Sequence, residues 1–268
     1  MLTIFLALIS LGLYSGAGAI PAARLARGSL RPVNKTALLG LGALAAACHG
    51  LALYLSLFDS QSHTFGFFGA ASVIGWLMAV LTLVATTRQP MENLAMLILP
   101  LAGISALLGA AFPGSNGQAT LREGLAAHVY TSMLAYSVLA IAAFQAVLVA
   151  LQDYKLRHKH PGGFVRLLPP LQAMEAMLFQ ILRLGFVLLT AALVSGFMFL
   201  EDMFAQHVAH KTVLSMIAWV VFGGLLLGHW RFGWRGQTAI RWTVGGFITL
   251  MLAFFGSKFV LEMVLVRV

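Results

Sequence analysis

Apolar runs and short polar breaks alternate along the whole chain, and eight of the runs reach the roughly 18 to 25 residues a helix needs to cross a bilayer core of about 30 Å. They lie near 3–20, 36–57, 70–87, 93–112, 125–152, 176–200, 211–230 and 240–263. In lipid every backbone amide has to be bonded inside its own segment, which makes each run a helix. The pattern predicts an all-α fold: a polytopic integral membrane bundle of eight transmembrane helices, forming a single transmembrane domain over residues 1–268. The longest break, "QDYKLRHKHPGGFVRLLPPLQAME", is interrupted by prolines and glycines and reads as a loop.

The charged positions orient this bundle. The breaks after the first, third, fifth and seventh runs hold Arg24, Arg27, Arg31, Lys35, Arg88, Lys155, Arg157, Lys159, Arg166, Arg231, Arg235 and Arg241, while the other side has Arg122, Lys211 and Arg267. Cations collect on the cytoplasmic side of a membrane protein, so both termini are expected on the outer side. The first run, "MLTIFLALISLGLYSGAGAI", has the small residues of a signal peptide, but its cations follow the apolar stretch instead of preceding it. It is read as a retained span.

Composition supports the membrane reading, since 60% hydrophobic and 9% charged residues is more than one soluble core of 268 residues requires. In that setting a net charge of +9 points to anionic lipid headgroups and not to nucleic acid. Cys48 is the only cysteine, which excludes an intrachain disulfide, a CxxC pair and a thiolate zinc site. Small residues one turn apart, Gly12, Gly16 and Gly18 or Gly224 and Gly228, permit close helix contact.

Ionisable groups within spans are expensive and mark candidate sites. The eight carboxylates all fall in loops or near span ends, which counts against a cation transporter or a carboxylate proton relay. The histidines are distributed differently. His49 lies inside the second span, about 12 Å from its outer end at 1.5 Å per residue. His128 opens the fifth span and His210 the seventh, both at the outer face, with His207 one turn before His210. His229 closes the seventh span at the inner face.

Any one of these, taken alone, has a plain alternative: an interfacial histidine bonded to a backbone carbonyl. Together they suggest more, because imidazole is the commonest metal ligand and haem iron is commonly held by a helical histidine. His128 and His210 share one depth on different helices, as two axial ligands of one haem would. Lys211, Arg122 and Lys258 are placed to meet its propionates, although Lys258 also has Glu262 one turn away as an ion-pair partner. Arg183 reads as an anchor to the cytoplasmic interface. Trp230, Arg231, Trp234 and Arg235 fit an aromatic and basic belt, and His158 and His160 fit a solvated loop.

Several blocks, in this order, resemble the cytochrome c assembly family of membrane proteins, which includes the CcsA, CcmC and HemX-like branches. The blocks are "CHGLALYLSLFDSQSHTFGFFGAASVIGWLM", "AAHVYTSMLAYSVLAI", "MEAMLFQILRLGFVLLTAALVSGF", "HKTVLSMIAWVVFGGLLLGHWRFGWRG" and "GGFITLMLAFFGSKFVLE". The resemblance covers nearly the whole chain and is strongest to the short, eight-span YpjD-type branch. It implies a bacterial inner-membrane protein that binds haem, of the b type, through histidines at the outer face and presents it to a partner such as an apocytochrome or another membrane protein. Carried over by position, His128 corresponds to an outer ligand and His49 to a membrane-embedded one. His210 falls where the second outer ligand is wanted, and His229 matches a family histidine after the seventh span.

One departure stands out. The assembly branch has a tryptophan-rich outer loop before the seventh span, whereas "GFMFLEDMFAQHVAHKT" has no tryptophan, leaving Phe197, Phe199, Met203 and Phe204 as apolar contacts. That counts against cytochrome c synthesis itself. The expectation is haem delivery, cytochrome maturation or sensing. No nucleophile and base pairing and no phosphate-cradling glycine loop suggests stand-alone catalysis. Two rivals remain: a regulatory or structural subunit that has lost haem, and a small-solute transporter.

Overall fold

In a computed structural model of the chain, residues 1–28, 32–59, 66–112, 123–158, 165, 167–199 and 206–256 are described. Eight helices are long and apolar enough to cross a membrane. They are α1 (Leu2–Ala26), α2 (Lys35–Asp59), α3 (Phe67–Arg88), α4 (Glu92–Ala111), α5 (Glu123–Arg157), α6 (Leu171–Phe199), α7 (Gln206–Phe232) and α8 (Gly236–Met251), the last continuing into one π-helical turn, Leu252–Gly256. Among the described residues there is no strand.

Each apolar run has become one helix, but several helices outlast their runs. α5 continues to Arg157 because Asp153 and Arg157, one turn apart, form an ion pair of 3.0 Å, and Gln237 donates to the same carboxylate at 2.7 Å. α6 begins at Leu171, directly after Pro169 and Pro170, so both ends of the expected loop are helical.

The helices group into two compact units, Met1–Thr120 with His158–Pro169, and Leu121–Arg157 with Pro170–Val268. In the first unit α1 lies against α2 and α4, and α3 against α4 and α2. Its core is made of small and branched side chains, among them Ala17, Leu38, Ala45, Leu83, Leu99 and Ala102, with the ring of Tyr14 at its centre. Small residues set the approach of α1 to α4. A Cβ on Gly103 would come within 2.8 Å of the Leu11 backbone, and one on Gly18 within 3.1 Å of the Pro100 ring. Gly12 and Gly16, expected to serve the same purpose, face open space. At one end of this unit Lys35 and Glu92 pair at 3.0 Å, joining the starts of α2 and α4.

In the second unit α5 is the central helix, with 72% of its apolar window buried, and it packs on α6 and α8. Leu139 fills the space left by Gly185 on α6, and Phe222 of α7 fills that left by Gly246 on α8. α7 stops at Gly233, whose φ of +68° is a left-handed conformation that glycine adopts at little cost. The reversal lays the Trp234 indole over Gly228.

Candidate functional site

The second unit contains a cavity of about 200 Å³ between the start of α5, the end of α6, the start of α7 and the end of α8. From α5 it receives His128, Ser132 and Tyr136, which recur every fourth residue and so occupy one helical face. Leu189, Ala192 and Leu193 come from α6, Lys211, Thr212 and Ser215 from α7, and Leu250, Ala253 and Phe254 from the last helix and its π turn. The walls are mainly apolar, with Tyr136 packed among Phe247, Phe254 and Phe255 at ring distances of 5.3 to 5.7 Å.

His128 is held in one orientation. Its Nδ1 lies 2.9 Å from the Ala192 carbonyl oxygen and 3.2 Å from Ser195 Oγ. A carbonyl only accepts, so Nδ1 carries the proton, and in the neutral ring Nε2 keeps its lone pair. The carbonyl-bonded histidine and the metal-ligating histidine are thus compatible readings. Ligating imidazoles commonly fix their tautomer by donating the other nitrogen to a backbone carbonyl. The same carbonyl also accepts the hydroxyl of Ser195, one turn from the end of α6, at 2.9 Å, so the serine and the histidine share one acceptor.

The remaining candidates are placed as follows. Lys211 lines the same cavity as His128. His210 precedes it on α7, is exposed, and is not among the described cavity residues. His49 lies in the first unit, fully buried on α2, with Nε2 2.9 Å from Ser72 Oγ on α3 and its ring edge-on to Tyr14 at 6.0 Å. Its Nδ1 and the Tyr14 hydroxyl are both buried without a hydrogen-bond partner among the described residues. His229, at the end of α7, stacks on Phe179 at 3.6 Å and donates Nδ1–H to the Trp234 carbonyl at 2.8 Å. Lys258, Arg122, Glu262, Met203, Phe204 and the side chain of His207 lie outside the described residues, and Phe197 and Phe199 are exposed. Among the described residues no group of three or more histidine, cysteine or carboxylate side chains could hold a metal ion.

Sequence reasoning passed over Ser132 and Tyr136, although their spacing from His128 in "HVYTSMLAY" is a detectable signal. The Ala192 carbonyl and the Tyr14 ring carried none, because both reach a histidine only through helix packing.

The donor set suits haem in chemistry: an anchored neutral imidazole, apolar walls and one nearby cation. The volume is a restriction. Small-molecule pockets usually enclose about 300 to 1,000 Å³, so a cavity of about 200 Å³ takes in one edge of a flat macrocycle and not the whole of it.

A polytopic all-α membrane protein with a histidine-bearing apolar cavity at one end of its second unit is the class these features define. The chain belongs to the cytochrome c assembly protein family, whose model matches residues 38–265. It is 33% identical over 229 residues to the inner membrane protein YpjD of Escherichia coli strain K12, covering 82% of this chain and 85% of that one. It is also 36% identical over 140 residues to an uncharacterized 28.8 kDa protein of Azospirillum brasilense, covering 52% of each chain. No solved structure matches it.

Proposed function

We propose that this protein binds haem near the outer face of the bacterial inner membrane, for haem delivery, cytochrome maturation or sensing. The observation that carries the reading is the anchoring of His128. With Nδ1–H committed to the Ala192 carbonyl at 2.9 Å, the ring presents an acceptor nitrogen that needs no reorientation before it can ligate. His210, exposed at the start of the same span as Lys211, is the second axial ligand in this reading. Lys211 is the propionate partner on the cavity wall, with Lys258 as a second, and His49 holds haem at a separate embedded site or on an inner path. Bound haem supplies a redox-active iron. The protein's own side chains orient it, shield its apolar face and neutralise its carboxylates.

The family membership and the likeness to the inner membrane protein YpjD support this reading, as does the outward placement that the charge asymmetry gives to the His128 end. A second reading, a regulatory subunit without haem, is favoured by the small cavity and by the absence of tryptophan from residues 196–212.

The test is the visible spectrum and haemochrome assay of the detergent-purified protein, as wild type and as His128→Ala combined with His210→Ala. The expected result is a Soret band in wild type that is lost or displaced in the double variant. A wild type that stays colourless after expression with excess haem would sink the haem reading and leave the regulatory subunit.

A further inference from the structure

The other end of the second unit holds a basic site of its own. Two open cavities, about 570 and 350 Å³, share Phe179, Arg183, His229 and Arg235. They form where the first half of α6, the end of α7 and the left-handed turn at Gly233 come together. The stacked rings of Phe179 and His229 make the floor, and the bond from His229 Nδ1 to the Trp234 carbonyl holds that floor in place.

Both guanidinium groups have unused capacity. Arg183 gives Nε–H to the Phe179 carbonyl at 3.2 Å, and among the described residues neither it nor Arg235 forms an ion pair. Among the described residues that line the cavities the one carboxylate, Glu175, accepts the backbone N–H of Gly236 at 2.9 Å, capping α8. Two cations against one engaged anion leave the site positive. Arg231, whose guanidinium carbon lies 5.6 Å from the centroid of the Trp230 ring, is a further cation at this end of α7.

The depth of Arg183 makes this more than a solvated basic patch. It lies twelve residues into α6, about 18 Å along the axis from Leu171 at 1.5 Å per residue. α6 itself, at 29 residues, is about 43 Å long, some 13 Å more than a bilayer core of about 30 Å. With all of that excess at this end, the Arg183 backbone still sits about 5 Å inside the hydrocarbon boundary. It is exposed there, with Leu184 and Val187 beside it 54% and 64% exposed. From that depth the guanidinium reaches the interface by snorkelling, where the anions it meets are lipid phosphates.

We propose that Arg183 and Arg235 form a binding site for the phosphate of an anionic phospholipid. Its acyl chains lie along the exposed apolar face of α6 and α7, over Val187 and Leu227, and Trp230 stands at headgroup level. Arginine suits the task because its planar fork pairs with phosphate through two parallel hydrogen bonds. The charge count assigns this end to the cytoplasmic face, where anionic lipid attracts basic segments of membrane proteins. The site is independent of the haem reading, since it shares no residue with the His128 cavity.

The test uses the full-length protein, delipidated in detergent and studied by native mass spectrometry and thermal unfolding. The probes are phosphatidylglycerol, phosphatidylcholine and inorganic phosphate. Wild type is expected to retain phosphatidylglycerol at least tenfold better than phosphatidylcholine and to unfold at higher temperature with it. Arg183→Gln combined with Arg235→Gln should bring the two lipids to parity, while Arg241→Gln, an exposed cation outside the cavities, should leave the preference intact. If the double variant does not fold, Arg235→Gln alone should lower the preference at least threefold. Retained preference in the arginine variants, or an equal loss in Arg241→Gln, would overturn the site. Inorganic phosphate that stabilises wild type as much as the lipid does, and displaces it, would overturn the lipid as its occupant.

Discussion

His49 sits where an imidazole is costly. It is fully buried, and one ring nitrogen is bonded to Ser72 while the other has no partner among the described residues. Ser72 is what makes the position tolerable. Ser72→Ala should cost about 1 to 3 kcal/mol, since it strands a second polar atom in a dry interior, and should lower the thermal midpoint in detergent. The Tyr14 hydroxyl gives the converse case, being buried and unpaired already, so Tyr14→Phe should leave that midpoint unchanged or raise it. A clear loss of stability in Tyr14→Phe would mean that the hydroxyl is bonded after all. These placements explain what was legible at residue scale. The sequence marks His49 and His128 because an ionisable group within an apolar run is conspicuous. It does not mark Ser72, Tyr14 or the Ala192 carbonyl, because a serine, a tyrosine or a backbone oxygen in such a run looks like many others.

The same distinction holds for the helices. Their existence follows from apolar runs that only a helix can satisfy in lipid, and all eight are present. Their ends were less legible, because outside the hydrocarbon a helix is continued by particular bonds that hydropathy does not register. The Asp153–Arg157 pair that carries α5 past its apolar run is one. Close helix contact was legible only as a class of residue. Gly12, Gly16 and Gly18 look alike in sequence, yet only Gly18 of the three has a neighbour across the interface, at Pro100. The glycine that governs the α1 to α4 approach most strictly is Gly103, whose missing Cβ makes room for the Leu11 backbone. A backbone atom cannot swing aside as a side chain does. Gly103→Ala should therefore destabilise by about 1 to 3 kcal/mol, whereas Gly12→Ala, with open space around it, should have little effect. Thermal unfolding of the two variants side by side checks the contrast, and equal midpoints would mean that the two helices are not in contact at Gly103.

At the scale of the whole molecule, function depends on which end of the helices faces out. The His128 cavity and the Arg183 cavities lie at opposite ends of the second unit, so a single orientation assigns both. By the cation count, Lys155, Arg157 and Arg235 are expected inside and His128 outside. Haem presented to an extracytoplasmic acceptor requires that arrangement, and so does a phosphate site on the anionic leaflet. The reverse orientation would put the histidine cavity in the cytoplasm and remove the reason to connect it with cytochrome maturation. Cysteine labelling decides the matter, because the chain has one native cysteine to replace. In a Cys48→Ser background, a cysteine substituted for Ser115, between α4 and α5, should react in intact cells with a maleimide that does not cross the inner membrane. One substituted for Lys159, between α5 and α6, should react only after the membrane is opened. The opposite pattern would invert the topology, and with it the proposed function would fail.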